Sequence, residues 1–327
     1  KASISAMLRS GAVVPDVLSA IDAAKLPEST HFYRKQDTHW RAEGARLTAL
    51  AVAAEMKQKI DLSKLPQTKH VTRQTGTEVY RSEIMDAIAK ICGPKVIARD
   101  TEPRYVTEVE EQAAQGADLF GGASTPAVLV GTSFSRFDAA FNFGGFLADA
   151  LNLDVLNVSI PGGGLTTSIL SYLSSTDFTE TPPSVLIWEL RPFDLPNQAF
   201  LGQVVATIAG SCPTEQALLK QDTKLQRGLT QVMALTQEQR NKLKTPVFLD
   251  LTVGETGVNK YLLRMNYTDF SKEDVEVDLT RAVFPPGHFF HSLPVDRLRK
   301  LESISLRPAA RLYGTVSVSL CPTKRAS

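Results

Sequence analysis

The chain has 327 residues, 36 Lys and Arg against 35 Asp and Glu, a net charge of +1, 43% hydrophobic and 22% charged residues. That length suggests about two domains, and the composition is that of an ordinary globular protein, which excludes wholesale disorder, collagen and coiled coil. Balanced charge excludes a global attraction to nucleic acid, and the longest apolar runs, such as Pro126 to Val130, fall far short of the roughly 20 residues of a membrane-spanning helix.

Lys1 to Arg9 reads as a helix with neither an initiator Met nor a signal peptide, so the text is expected to begin inside a longer chain. Ala42 to Ile60 carries Ala, Leu and Met at helical spacing, with Gly44 its weak spot. Between Asp61 and Gly116 the periodicity is poor and polar content high, predicting loops with one short helix over Glu83 to Ile91. From 125 to 200 the pattern becomes strand and helix in alternation. The strands are Pro126 to Val130, Asp154 to Val158 and Ser184 to Leu190, and the helices between them Phe141 to Leu151 and Leu165 to Leu173. Nearly continuous apolar strands separated by helices predict a parallel sheet covered on both faces, with chemistry at the carboxyl ends of its strands. Beyond residue 211 a polar, helix-like segment, Glu215 to Lys244, leads into short alternating runs at 247–253, 260–267, 275–284, 302–308 and 313–320. Such runs predict an antiparallel sandwich or barrel. The expected fold is α/β: a doubly wound parallel sheet in residues 1–205, followed by an antiparallel β-sandwich in 206–327.

Candidate chemistry begins with Ser133, which follows a strand and the Gly131-Thr132 turn. There its hydroxyl projects from the sheet edge and the next helix lends N–H groups to an oxyanion; the same pattern also describes a simple helix cap. A serine needs a base. Asp37 and His39 sit two residues apart in a loop, where the carboxylate reaches Nδ1–H and leaves Nε2 to take the serine proton. The alternative is that Asp37 caps the following helix while His39 packs beside Trp40. The three cysteines, Cys92, Cys212 and Cys321, fit no zinc spacing, and their odd number suggests a missing partner.

Asp37-Thr38-His39-Trp40 with Gly44-Ala45, and Gly131-Thr132-Ser133-Phe134-Ser135 about ninety residues later, form a pair of motifs far more specific than either alone. Together they resemble the signature of the AlgX and AlgJ family of alginate O-acetyltransferases, whose catalytic domain is SGNH-hydrolase-like with the Asp-x-His motif moved ahead of the serine. The match extends through Asn157, Gly162 to Gly164 and the strand ending at Glu189. This resemblance implies Ser133 as nucleophile, His39 as general base and then acid, and Asp37 as the orienting carboxylate. The oxyanion would be held by the backbone N–H of Ser133 and one from the Gly162 to Gly164 loop, assigned to Gly163; a glycine run lets backbone approach substrate closely, though it also makes a flexible connection. Arg191 would bind a uronate carboxylate or the oxyanion, or simply pair with Glu189 or Asp194.

The continuation into a β-rich module resembles the AlgX branch. It implies that Cys212 and Cys321 bridge the ends of the module and that Cys92 pairs with a cysteine nearer the N-terminus, outside this sequence. The module resembles a carbohydrate-binding domain. From Pro285 to Ser327 it carries seven basic residues (Arg297, Arg299, Lys300, Arg307, Arg311, Lys324, Arg325) against Asp296 and Glu302, which suits a polyanion or is a solvated basic face. Lys260, Leu262 and Arg264 share one face of a strand. With both tryptophans, Trp40 and Trp188, in the catalytic part, stacking on sugar would fall to Tyr261 or Tyr267. The expected function is polysaccharide O-acetyl transfer to alginate through an acetyl-serine, in the periplasm, beside proteins of a secretion complex, with no metal or cofactor and the acetyl donor unspecified. The alternatives are a carbohydrate acetyl esterase and a non-catalytic polysaccharide-binding scaffold.

Overall fold

The computed structural model describes residues 7–8, 11–27, 31–97, 100–110, 125–191, 194, 196, 198–253, 260–278, 288–293, 295–309 and 314–323. The helix expected over Lys1 to Arg9 lies outside this set apart from Met7 and Leu8, as do 111–116 and 279–284. The chain forms two compact units, Lys1–Leu165 with Thr181–Leu195, and Thr166–Glu180 with Pro196–Ser327. Among the described residues no helix is long and apolar enough to cross a membrane.

In the first unit α1 (Ala42–Lys59) buries Ala45, Ala49 and Ala53 at helical spacing, small side chains that admit close packing. Gly44 is no weak spot. A Cβ there would lie 2.5 Å from the Phe32 carbonyl oxygen, so glycine is what lets this turn of α1 approach the backbone at Phe32. The segment from Asp61 to Glu110, expected as loops around one helix, is instead an antiparallel pair, β1 (His70–Tyr80) and β2 (Asp100–Val109), with α2 (Glu83–Cys92) between them. Most of the centre of β1 is exposed, so no apolar alternation marks it; its Thr and Val content was the only strand signal.

The parallel sheet has β3 (Ala127–Val130) at its centre, then β4 (Val155–Asn157) on one side and β5 (Val185–Trp188) on the other. Between β3 and β4 run α3 (Ser133–Arg136) and α4 (Phe143–Leu151). The expected single helix from Phe141 is broken by Asn142, whose φ of 51° is left-handed and whose amide donates to Thr107 Oγ1 at 2.9 Å. Ala127, Leu129, Val185 and Ile187 face α1 and α4 across one core that includes Phe146, Leu147 and Leu151. Because the chain moves from β3 to one neighbour and returns to the other, the carboxyl end of β3 is a topological switch point, where open α/β sheets place their ligands.

The second unit holds the helices Thr167–Leu173 and Thr176–Glu180, then α5 (Gln198–Ala209), β6 (Leu219–Lys224), β7 (Thr230–Ala234), a short helix Gln237–Lys242, β8 (Val247–Val253), β9 (Lys260–Tyr267), β10 (Lys272–Asp278), β11 (His288–Leu293), β12 (Leu301–Pro308) and β13 (Thr315–Pro322). Two four-stranded antiparallel sheets, ordered β10-β9-β12-β7 and β11-β8-β13-β6, enclose Val232, Leu249, Leu251, Leu263, Met265, Ile304, Val316 and Val318. The polar segment from Glu215 to Lys244 is therefore not one helix. Gly228, at φ 91°, lies between β6 and β7, two edge strands that need only one apolar face. The short helix after them is closed by a capping box, Thr236 with Gln239. The helices at 167–180 and the chain from 196 to 205, expected in the first domain, lie in this unit, with α5 packed on β11. Cys212 and Cys321 form a disulfide with their Cα atoms 6.0 Å apart, closing a separation of 109 residues, which in the chain-entropy account stabilises by about 4 to 5 kcal/mol. Cys92 is free and exposed.

Candidate active site

The loop that carries Asp37 and His39 is a tight excursion between two paired arms. The Arg34 N–H donates to the His39 carbonyl at 3.0 Å and the Arg41 N–H to the Phe32 carbonyl at 2.9 Å, with Tyr33 and Trp40 bridged between them. Asp37 does not cap α1, whose N-cap residue is Arg41. Its Oδ1 accepts instead from the His39 N–H at 2.9 Å and lies 2.5 Å from His39 Nδ1. The imidazole stacks on Phe141, centroids 5.4 Å apart at 25°, and lies 4.7 Å from Phe134. Trp40 Nε1 donates to the Phe134 carbonyl at 3.0 Å, tying this loop to α3.

Ser133 opens α3 directly beyond β3, with Thr132 as the N-cap. Its Oγ lies 2.8 Å from His39 Nε2. Asp37, His39 and Ser133 thus converge, in the order carboxylate, imidazole, hydroxyl that activates a serine. The turn before Ser133 is pinned from the neighbouring strand end. Glu189, just past β5, accepts on Oε2 from the Thr132 N–H at 2.7 Å, the Thr132 hydroxyl at 2.9 Å and the Ser135 hydroxyl at 3.2 Å. A Cβ on Gly131 would stand 2.7 Å from that oxygen, so the close approach requires glycine. Burial raises the Glu189 carboxyl above its ordinary value, against the bonds from Thr132 and Ser135 and the charge of Arg191. For Asp37 burial acts upward too, but hydrogen bonds from Ser82 and from the backbone and ring of His39 outweigh it and hold the carboxyl below its usual range.

The Ser133 N–H is the first of the α3 helix and has no acceptor among the described residues, so it is open to an oxyanion. Gly163 is different: its N–H donates to the Ile160 carbonyl at 3.2 Å, within a turn where Gly162 and Gly164 take φ of 65° and 61°. The glycines serve the turn, and the donor expected at Gly163 is already engaged. Asn157, at the end of β4, donates to the Ser135 carbonyl at 2.7 Å and braces α3 from the other side. Arg191 pairs with Asp194, and its charge is also felt at Glu189.

In the second unit the strand β9 alternates as expected, and the inward set is Tyr261, Leu263, Met265 and Tyr267. Tyr261 is 4% exposed, and its ring belongs to the core rather than to a sugar-binding face. Tyr267 is likewise inside, its hydroxyl donating to Glu273 Oε2 at 2.9 Å beneath the Arg297 guanidinium. Lys260 and Arg264 lie on the outward side, and Arg264 makes a two-pronged pair with Asp274 at 2.7 and 2.6 Å. The basic stretch is partly neutralised, Arg297 by Glu273 and Lys300 by Asp269, each at 3.0 Å; Arg311, Lys324 and Arg325 lie outside the described residues.

Sequence reasoning missed Glu189 as the anchor of the Ser133 turn, and it missed Tyr80 and Ser82 at Asp37. The signal for Glu189 was a carboxylate ending an apolar strand; Tyr80 sits in a segment without periodicity.

A family model described as the SGNH hydrolase-like domain of acetyltransferase AlgX matches residues 1–192. Alginate biosynthesis protein AlgX of Pseudomonas fluorescens is 29% identical over 301 residues, 90% of this chain and 61% of that protein. Probable alginate O-acetylase AlgJ of the same organism is 34% identical over 195 residues, 58% of this chain and 48% of that protein. The solved structure of Pseudomonas aeruginosa AlgX matches with a TM-score of 0.75 at 25% identity, covering 99% of this chain and 75% of that one. The chain therefore spans about three fifths of the length of its AlgX relative from P. fluorescens, 61%.

Proposed function

The chain belongs to the family of the AlgX SGNH hydrolase-like acetyltransferase domain, and from that premise we propose that Ser133, His39 and Asp37 transfer an acetyl group to hydroxyls of alginate or a similar polyuronate. His39 Nε2 takes the hydroxyl proton as Ser133 Oγ attacks the acetyl carbonyl, and the Ser133 N–H stabilises the resulting oxyanion. Collapse expels the donor's leaving group, which receives the proton from His39, and leaves acetyl-serine. A sugar hydroxyl then attacks that ester and gives its proton to His39; the second collapse returns the proton to Ser133 and releases the acetylated sugar. Asp37 fixes the imidazole tautomer throughout. Nucleophile, base and oxyanion donor all belong to the chain, so this route calls for no cofactor.

The observation that carries the reading is the 2.8 Å contact between His39 Nε2 and Ser133 Oγ, backed by Asp37 on Nδ1. The β-sandwich, with Lys260 and Arg264 on the outward side of β9, is proposed to hold the polyanion, raising acceptor concentration so that sugar competes with water. The Cys212–Cys321 disulfide supports an oxidising compartment, which we take to be the periplasm, beside proteins of a polysaccharide secretion complex. Ser133→Ala is expected to cut acetyl transfer to an oligouronate by at least about a thousandfold, read by mass spectrometry of the sugar. Retained transfer would overturn the reading, and free acetate without acetylated sugar from the unaltered chain would assign the same triad to hydrolysis.

A further inference from the structure

The second oxygen of Asp37 has its own partner. The Tyr80 hydroxyl donates to Asp37 Oδ2 at 3.2 Å, so the carboxylate divides its lone pairs: Oδ1 serves His39 and Oδ2 serves Tyr80. Tyr80 ends β1, and Ser82, the N-cap of α2, adds a further hydrogen bond to the same carboxylate. The whole Asp37 side chain is 1% exposed.

On the face of the Tyr80 ring lies a buried cation. The guanidinium carbon of Arg34 is 3.3 Å from the ring centroid and 5.2 Å from that of Phe141, and Arg34 is 4% exposed. None of its Nε, Nη1 or Nη2 has a hydrogen-bond acceptor among the described residues. Its carboxylate neighbours are Glu102 at 3.4 Å and Asp100 at 3.6 Å, but Arg41 takes the closer contacts to both, at 2.7 Å each. An arginine buried for ion pairing alone would aim its forked N–H groups at a carboxylate. Arg34 instead places its guanidinium carbon over a phenol ring. Desolvating a guanidinium without hydrogen bonds is costly, and the nearby charges of Glu102 and Asp100 oppose that cost; at the ring itself, a cation on the π face draws density from it and makes the hydroxyl a stronger donor. Burial and the Asp37 charge push Tyr80 up to about 12, so the phenol keeps its proton and remains the donor.

We propose that Tyr80, polarised by Arg34 on its ring, is a positioning residue of the triad: its hydroxyl fixes Asp37 Oδ2 so that Oδ1 meets His39 Nδ1, and it limits how much carboxylate charge the imidazole feels. The proposal rests on the triad reading above and deepens it. Charged and titratable groups around this chain of contacts are His39 and Tyr80 at Asp37, which Ser82 also hydrogen-bonds; Asp37, Arg34 and Asp100 at Tyr80; and Glu102, Asp100 and Arg41 at Arg34. Removing the Tyr80 hydroxyl leaves more negative charge facing a protonated imidazole. The protonated, inactive form of the base is then favoured, and activity requires a higher pH.

The test measures kcat/KM against pH with para-nitrophenyl acetate, on the full chain and on Tyr80→Phe, Arg34→Met, the double variant and Ser133→Ala. Tyr80→Phe is expected to lower kcat/KM at neutral pH about 3- to 10-fold and to move the acid limb to higher pH by about half a unit. Arg34→Met should move the limb in the same direction, and the double variant no further than Tyr80→Phe alone. A Tyr80→Phe limb that stays in place, whatever the rate, makes Tyr80 a packing residue and overturns the proposal; additive shifts in the double variant remove Arg34 from it. If Arg34→Met does not fold, Tyr80→Phe alone decides. Full activity in Ser133→Ala would instead overturn the triad reading itself, so the two failures are distinguishable.

Discussion

Glu189 sets the turn around Ser133 without bonding to Ser133 itself. One carboxylate oxygen collects the Thr132 amide and hydroxyl and the Ser135 hydroxyl, residues on both sides of Ser133. Its carboxyl is raised by burial, so the folded chain holds that proton more tightly than the unfolded chain does. Stability from this group is therefore present below the ordinary glutamate range and declines as pH rises through the raised folded value. Glu189→Gln, which keeps the accepting oxygen but cannot ionise, is therefore expected to lose less stability than the unaltered chain between about pH 4.5 and pH 7. Urea midpoints at the two pH values check this; parallel declines would refute it. At this scale Asp37, His39 and Ser133 were legible because each motif is short and local. Glu189 was named only as a possible partner of Arg191, since a polar residue ending a strand has many ordinary explanations. Tyr261 was misassigned for a different reason. Alternation along β9 says which residues share a side, but not which side the second sheet will cover.

The elements show where pattern reading holds and where it stops. The strands β3, β4 and β5 were readable because they are short apolar runs set off by glycine or proline, although only β3 is buried throughout and Leu156 of β4 and Leu186 of β5 are exposed rather than covered as expected; β8, β9, β12 and β13 were readable because one face of each is apolar. The β1–β2 pair was not, for residues 73–77 of β1 are all exposed, and the half-buried positions of β2 alternate through Pro103, Tyr105 and Thr107, a set with too little apolar character to show as a period. Yet this pair delivers Tyr80 to Asp37. The start of α1 carries a comparable lesson: Gly44 looked like a helix weakness and is the point at which the helix is gripped, 2.5 Å from the Phe32 carbonyl for any added Cβ. Gly44→Ala should thus destabilise by about 1 to 3 kcal/mol despite the better helix propensity of alanine. Because Phe32 pairs with Arg41 across the loop that carries His39, the surviving folded fraction should also turn over more slowly. Thermal melting with kcat measured on the folded fraction tests both parts; an alanine variant as stable as the parent would refute the steric account.

For the whole molecule, the class of fold was legible, a parallel α/β sheet followed by an antiparallel sandwich, while the division of the chain was not. Composition changes near residue 211, but packing reassigns the chain from 196 and the two helices between 166 and 180. No local pattern announces which of two hydrophobic cores an amphipathic helix will join. The disulfide belongs to this scale as well, since it links Cys212 to Cys321 at the two ends of the sandwich sequence. Cys321 and Phe248 are both buried there. Reduction is expected to lower the stability of the second unit by up to about 4 to 5 kcal/mol, seen as a melting transition that moves down in reductant. Cys212→Ala with Cys321→Ala should reproduce that shift, and an unmoved transition in both would show that the loop closure contributes nothing.

The excursion between Thr166 and Glu180 sets an order of events during synthesis. Thr167–Leu173 is buried along its whole length, and in its own unit it packs against α5 as well as against the helix Thr176–Glu180 that follows it. A ribosome delivers that helix before α5 exists, and before any strand of the sandwich. The chain then returns at Thr181 to supply β5, the strand that brings Glu189 to the Ser133 turn. For that interval a nascent chain can complete its parallel sheet while the helix that carries Ile169, Leu170 and Leu173 still waits for α5. This is the stretch in which a chaperone has most to hold, and in which a stalled or truncated product is most exposed to aggregation.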